Sequence, residues 1–324
     1  MAQPATEALE RALREAFPAV AFSMAYGSGV FAQKDHDASS SLLDLVFAVD
    51  DPVAWHAANL ERNSGHYSLL RLLGARGLAD FQENYGAGVY YNTLVPLQSA
   101  DPALGSRMIK YGVVSVQTLC ADLRDWRTLY LSGRMHKPVH FLSSSEPIRT
   151  AATANLRHAL HYALLCLPEK FSETDLFMRI AGISYLGDFR MTFGENPKKV
   201  RNIVAGNVAA FRELYASQIK NSPYVDRSLA DSGMLVAKTL DRGAHRELLD
   251  GLPAAILARM RQQRGAPGDG ADRTATKKRV QRAVASIVNR YSRTQSIKGI
   301  ATAGAVKTVQ YVAQKLQRTY FQQH

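Results

Sequence analysis

Two short stretches of this 324-residue chain carry residues arranged for phosphate chemistry. Tyr26-Gly27-Ser28-Gly29 follows an apolar run, and Asp44 stands inside a second one, SLLDLVFAVDD. A Gly-Ser turn lets backbone N–H groups and a hydroxyl approach a polyphosphate, because glycine puts no side chain in the way. An acid in an otherwise apolar strand is costly to bury unless it is paired or metal-bound. Such a carboxylate beside such a turn is where Mg²⁺ would be held against phosphates. Gly-Ser-Gly alone marks many ordinary tight turns; the acid at this spacing gives it weight.

Further residues could complete a site for anions. Lys110 interrupts the strand-like MIKYGVVS and must face either solvent or an anion. Arg134 and Lys137 lie in SGRMHKP, where a Gly and a Pro force a loop, the element on which functional groups concentrate. The bland alternative is an exposed basic turn. His56, Asn59, Asn63 and His66 share one helical face, with spacing that suits no simple zinc motif. A solvated polar face explains them equally well. Asn92 follows Tyr90 and Tyr91 at a strand end, and those tyrosines are more often packing than stacking groups.

The elements that must position these residues divide the chain in three. From 1 to 142 the pattern alternates: an amphipathic helix around Leu9, Leu13 and Phe17, strands at FSMAYGSGVF, SLLDLVFAVDD, AGVYYNTLVP and MIKYGVVSV, and a helix over 53–73. That alternation predicts an α/β domain. From 143 to 263 the period is helical. Ser145-Glu146-Pro147 opens a helix that Pro168 stops, Ser172-x-x-Asp175 is a capping box, and Val200, Ile203, Val208, Phe211 and Leu214 mark another helix. From 264 to 324 a linker, RGAPGDGAD, leads into a basic segment. Residues 273–324 hold eleven Lys or Arg and no acid, so nearly all of the net charge of +12 falls there. Val306, Val309, Ala313, Leu316 and Tyr320 give this segment an apolar stripe, so it reads as an amphipathic region that meets an anionic surface. Cys120 and Cys166 are too few for a disulfide framework and read as buried thiols. No run approaches the length of a membrane span, and the N-terminus, with Glu7, Glu10 and Glu15, does not read as a leader. The expected location is therefore cytoplasmic.

With these segments in view, the chain resembles the Tam41/Mmp37 family, the mitochondrial-type phosphatidate cytidylyltransferases that also occur in some bacteria. The likeness rests on YGSGVFAQ (26–33), LLDLVFAVDDPVAWHAANLERNSGHYS (42–68), GVYYN (88–92), KYGVVS (110–115), DLRDWRTLYLSGRMHKPV (122–139) and SIKGIATAG (296–304). It implies a nucleotidyltransferase-fold domain, a helical winged-helix-like domain and a basic C-terminal segment. It also implies Mg²⁺ dependence, with CTP and phosphatidic acid in anionic membranes as substrates, no nucleic acid, and a place on the inner face of the cell membrane. Under it Ser28, Asp44 and Lys110 are the catalytic candidates, with Asp44 on the metal. Gly27, Ser28, Gly29, His56, Asn59, Asn63 and Asn92 would line the nucleotide, and Arg134, Lys137, Lys298 and Lys307 would meet phosphate or lipid. Most nucleotidyltransferases carry a second strand acid two residues on, where this chain has Val46. Asp50, Asp51, Asp122, Asp125 or the substrate's own phosphates would then complete the metal shell. The rivals are an RNA-end nucleotidyltransferase, and a non-enzymatic winged-helix protein that binds nucleic acid through its basic segment.

Overall fold

A computed structural model describes residues 3–27, 29–30, 42–99, 101–102, 104–193, 196–226, 234–237, 242–263 and 273–304. Ser28, Lys307, the 264–272 linker and the apolar stripe beyond 304 lie outside the described residues.

The strands expected from the apolar runs form. β1 (Phe22–Tyr26), β2 (Leu43–Val49), β3 (Val89–Leu97), β4 (Arg107–Ser115) and the short β5 (His140–Phe141) make one mixed sheet, ordered β3-β4-β2-β1-β5. β2 and β4 run parallel and the other pairs antiparallel. Alternation along each strand divides the sheet into two faces. Leu43, Leu45, Phe47, Ile109, Tyr111 and Val113 pack under α1 (Gln3–Ala16), whose Leu9 and Leu13 are buried there together with Phe17 just beyond its end. Val46, Ala48, Val114, Met24 and Tyr91 pack on the other face, against α4 (Val116–Asp125) and the start of α5 (Glu146–Cys166).

The helix expected over 53–73 is shorter. α2 (Pro52–Asn63) starts at the Asp51 cap, whose carboxylate accepts from the Val53 and Ala54 amides. It gives way after Asn63 to two 3₁₀ turns, Ser64–His66 and Leu69–Leu73, before α3 (Gly74–Asn84). Gly65 and Gly74 interrupt the α-helical period there.

The second half is a helical body. α5 carries its long apolar face into a core shared with α6 (Glu173–Ala181), α8 (Lys199–Ala205), α9 (Val208–Lys220), α10 (Arg242–Asp250) and α11 (Ala254–Arg261); the four-residue α7 is Arg190–Phe193. The Ser172/Asp175 capping box closes as its spacing predicted, with both reciprocal bonds made. Three short strands, β6 (Lys170–Ser172), β7 (Val225–Asp226) and β8 (Met234–Ala237), form a second sheet ordered β6-β8-β7.

The separate basic tail is corrected. Residues 273–303 form one 31-residue helix, α12 (Arg273–Ala303), built into both halves. Val280, Ala283, Val284, Ile287 and Val288 belong to the helical core. Further along, Gln295 accepts from the Ala87 amide and donates to the Val89 carbonyl, at the start of edge strand β3. α12 is a strut, and most of the charge read as a tail sits on its outer sides.

Candidate active site

Asp44 opens β2. Its register partners are Tyr26 on β1 and Lys110 on β4, so three side chains of different chemistry stand in one row across the sheet, on one face. Asp44 and Lys110 are half-buried and Tyr26 is buried. Gly27 follows Tyr26 in the left-handed region at φ +82°, and a Cβ there would lie 3.2 Å from Asp44 Oδ2. Glycine is thus required twice, for the turn and for access to the carboxylate. Two residues along β4 from Lys110, Gly112 lets the Tyr91 ring lie across the strand, where a Cβ would meet it at 2.6 Å. Lys110 Nζ sits 4.7 Å from the centre of that ring.

Above this row lies the loop that follows α4, and Asp122 shapes it. Its Oδ1 accepts from the Thr128 amide at 2.7 Å, the Thr128 hydroxyl at 2.8 Å and the Leu129 amide at 3.1 Å. Its Oδ2 accepts from the amides of Leu131 and Ser132. A buried carboxylate satisfied this way is a structural anion. It offsets a strained path, since Trp126 and Leu129 both have positive φ. The loop delivers Arg134, whose guanidinium lies 4.4 Å from the Tyr26 ring centre and 5.7 Å from that of Tyr130.

Arg134 joins the sheet row to a small cleft, open to solvent on one side, between the loop and the helical body. Tyr130, Arg134, Lys137, Tyr185, Asp188 and Arg190 line it. Lys137 donates to the Gly133 carbonyl and to Ser184 Oγ. Burial, with Arg134 and Lys199 close by, lowers its pKa to about 7. Arg190 is held by Asp188 through several hydrogen bonds, so one of the three cations is partly neutralised. Tyr130 reports the sign of the field. Burial alone would raise its pKa, but Arg134, Lys110 and Arg190 outweigh burial and lower it. A place where a phenol ionises more easily than usual is a place prepared for an anion.

The nucleotide-wall expectation for His56, Asn59, Asn63 and Asn92 is corrected. Tyr111 neighbours Lys110 on β4 and therefore leaves the sheet on the opposite face, where its hydroxyl meets Asn59, Asn92 and His66 at 2.9 to 3.1 Å. His56 is held between Tyr67 and Gln82, and Asn63 donates to Asn59 and to the Ala16 carbonyl. His56, Asn59 and Asn92 are fully buried. The stripe is a core network, separated from Asp44 by the sheet itself.

Lys298 is corrected too. It is 3% exposed, and its amine donates to the carbonyls of Gln82 and Tyr85 at the end of α3. It ties α12 to the first half of the chain and is closed to a lipid phosphate. The spare metal ligands do not reach Asp44. Asp50 lies beyond the far end of the same strand, on the order of 20 Å away. Asp51 caps α2, Asp122 is fully engaged, and Asp125 pairs with Arg127. No group of three or more His, Cys, Asp or Glu suited to a metal exists among the described residues. Cys120 and Cys166 are buried free thiols, each with its pKa raised chiefly by burial.

Sequence reasoning missed Tyr130 and Arg190. The available signal for Arg190 was Asp188-x-Arg190, a charge pair inside an otherwise apolar helical stretch.

Comparison with known proteins bears on what such a site does. A profile of the Tam41_Mmp37 family, described as "Phosphatidate cytidylyltransferase, mitochondrial", matches residues 9–318. A protein of that name from Xenopus laevis is 43% identical over 312 residues, covering 92% of this chain and 90% of the relative. The Mus musculus protein is 42% identical over 315 residues, 93% and 91% of the two chains. The Schizosaccharomyces pombe protein is 34% identical over 318 residues, 91% and 79%. All three carry "mitochondrial" in their names, which points to a mitochondrial location and overturns the expectation of a cytoplasmic enzyme on the inner face of the cell membrane.

Proposed function

This chain belongs to the Tam41/Mmp37 family, and on that premise we propose how its own residues carry the reaction of a phosphatidate cytidylyltransferase. The enzyme is a nucleotidyltransferase that makes CDP-diacylglycerol. A phosphate oxygen of phosphatidate attacks the α-phosphorus of CTP, the bond from that phosphorus to the bridging oxygen breaks, and pyrophosphate leaves. The attacking group is already an anion at neutral pH. No general base is needed to create it, and the task of the site is to bring two anions together and stabilise charge at phosphorus.

The observation that carries this reading is the continuity of the Tyr26–Asp44–Lys110 row with the Arg134/Lys137/Arg190 cleft. The triphosphate would lie over Gly27 and Asp44, with Lys110 at its side. The lipid phosphate would enter from the cleft, met by Arg134 and Lys137, with Tyr130 between the two groups. Ser28, next to Gly27 in sequence, would add its hydroxyl to the triphosphate. The sheet half then corresponds to a nucleotidyltransferase-type domain, and the helical half with its small three-stranded sheet to a winged-helix-like one.

The residues present suit Mg²⁺. One half-buried carboxylate with glycine beside it leaves room for an ion, and Mg²⁺ commonly takes one or two carboxylates while phosphates and waters fill the rest. Asp44 would hold it, and bound there it would neutralise phosphate charge. Arg134 is kept oriented by stacking on Tyr26, and the Asp122-built loop keeps it there without solvent reorganisation.

Labelled CTP, Mg²⁺ and phosphatidate-containing vesicles test the reading. A lipid-soluble CDP product with release of pyrophosphate is expected, and its absence under conditions where the chain is folded would refute it.

A further inference from the structure

Several large aliphatic side chains of this protein are exposed side by side. In the 3₁₀ turn Leu69–Leu73, Leu70 packs inward against the Tyr67, Leu78 and Tyr90 cluster. Its neighbours point out: Leu69 is 77% exposed, Leu72 80% and Leu73 54%. The end of α12 lies beside this turn, because Ser68 Oγ donates to the Ala301 carbonyl at 3.0 Å. There Ile297 and Ile300 are 69% and 57% exposed. Lys298, reaching the Tyr85 carbonyl, holds the same helix end against α3, where the Tyr85 side chain is itself exposed. Two elements more than two hundred residues apart are thus fastened side by side, each presenting bare aliphatic side chains. Scattered exposed leucines need no explanation, but a clustered set held in place by hydrogen bonds between distant elements does.

Basic residues predominate around the patch, with Glu83 an exposed acid close to Lys298. Residues 64–79 contain Arg71 and Arg76 and no acid, and residues 273–304 contain no acid at all. Arg71, Arg76, Arg290 and Arg293 are exposed. Asp80, one turn beyond Arg76 on α3, is the acid that follows them in sequence. Aliphatic groups that project singly, with arginines among them, suit insertion between lipid headgroups better than a flat protein interface, whose centre is typically aromatic and closely packed.

We infer that Leu69, Leu72, Leu73, Ile297 and Ile300 dock this enzyme on an anionic bilayer, with the arginines pairing to headgroups. The inference rests on the lipid substrate argued above, since a protein acting on phosphatidate must reach a bilayer. It places the first contact on the folded body, in a turn far from the basic segment in sequence.

The test uses the full chain, with vesicles of phosphatidylcholine mixed with phosphatidylglycerol, which is anionic but no substrate. Wild type and a Leu69→Ser/Leu72→Ser variant are compared by flotation, beside turnover on short-chain phosphatidate dispersed in detergent. The variant is expected to bind vesicles at least about tenfold more weakly, equivalent to about 1.4 kcal/mol, while detergent turnover and thermal midpoint stay unchanged. A Leu72→Trp probe is expected to shift its emission to the blue on adding these vesicles and to move much less with pure phosphatidylcholine. Equal vesicle binding by variant and wild type overturns the inference. So does a Leu72→Trp emission already blue-shifted in the free protein, which would mean that a second copy or the chain's own residues 305–324 cover the patch. Failure of wild type to turn over detergent-dispersed phosphatidate would instead sink the function, with the vesicle result standing separately.

Discussion

Lys110 and Tyr111 are adjacent on β4, and their side chains leave the sheet in opposite directions into two unlike polar environments. On the Tyr111 side, amides, imidazoles and phenols bond mainly to one another, and His56 and Asn59 have every ring nitrogen or amide group engaged. On the Lys110 side the groups meet mainly as stacked rings and cations around the half-buried Asp44. Polar residues closed on each other stabilise a fold; cations gathered around a half-buried carboxylate suit the binding of an anion. Type and spacing do not separate the two cases, since both faces carry tyrosines and nitrogen donors.

The sharpest way to break this comparison is to remove the acid from the open face. Asp44→Ala is expected to lower kcat by a factor on the order of 10³ or more, with the thermal midpoint almost unchanged because the carboxylate accepts no hydrogen bond among the described residues. Retention of a tenth of wild-type kcat would end its assignment to the metal and the phosphates. Gly27→Ala should come next, costing turnover about ten- to a hundredfold, because the methyl would stand against Asp44 Oδ2 and the φ of +82° strains any L residue. Steady-state kinetics on the folded variant decides that case; normal kcat would mean the carboxylate is not approached from this side.

The closed face should respond in the other observable. Asn59→Ala removes the donor shared by the Tyr67 and Tyr111 hydroxyls and orphans buried groups, which costs about 1–3 kcal/mol of stability. Turnover per folded molecule should be unaffected. Denaturant unfolding and kcat measured on the same preparation check both halves, and a loss of CTP affinity at full stability would restore Asn59 to the nucleotide.

These outcomes also explain what could be read in advance. A lone acid in LLDLVFAV is legible because burying it unpaired is expensive, and the capping box at Ser172 is legible because its partners are local. The face chosen by His56, Asn59 and Asn63 is not legible. Helical spacing shows that they share a side, while the crossing of α2 over the sheet decides which side. Lys298 misled for a different reason. In a run of bases a lysine reads as solvated, yet its long aliphatic stem can be buried if its amine finds carbonyls, and those belong to residues two hundred positions away. Tyr130 was silent, and Arg190 signalled only by its pairing with Asp188, because an ordinary loop and helix become a site only through the Asp122-built turn.

The finest version of the comparison sets Lys137 against Lys298, whose pKa values burial lowers to the same value, about 7. Lys137 lines the cleft, so its charge should appear in binding: kcat/KM for phosphatidate is expected to fall as pH rises through 7, and Lys137→Arg should flatten that limb. Lys298 is sealed, so its proton should appear in stability. Its folded pKa lies below the ordinary lysine value of about 10.4, and between the two the unfolded chain holds a proton that the folded chain lacks. Stability from this residue therefore increases with pH across that window, is complete above it, and is lost as pH falls through about 7. Lys298→Met should remove that slope from the unfolding free energy while leaving the pH dependence of kcat/KM as in wild type. If instead it moves the kinetic limb and Lys137→Arg does not, the two lysines have exchanged roles, and the anion site lies at the end of α12 rather than in the cleft.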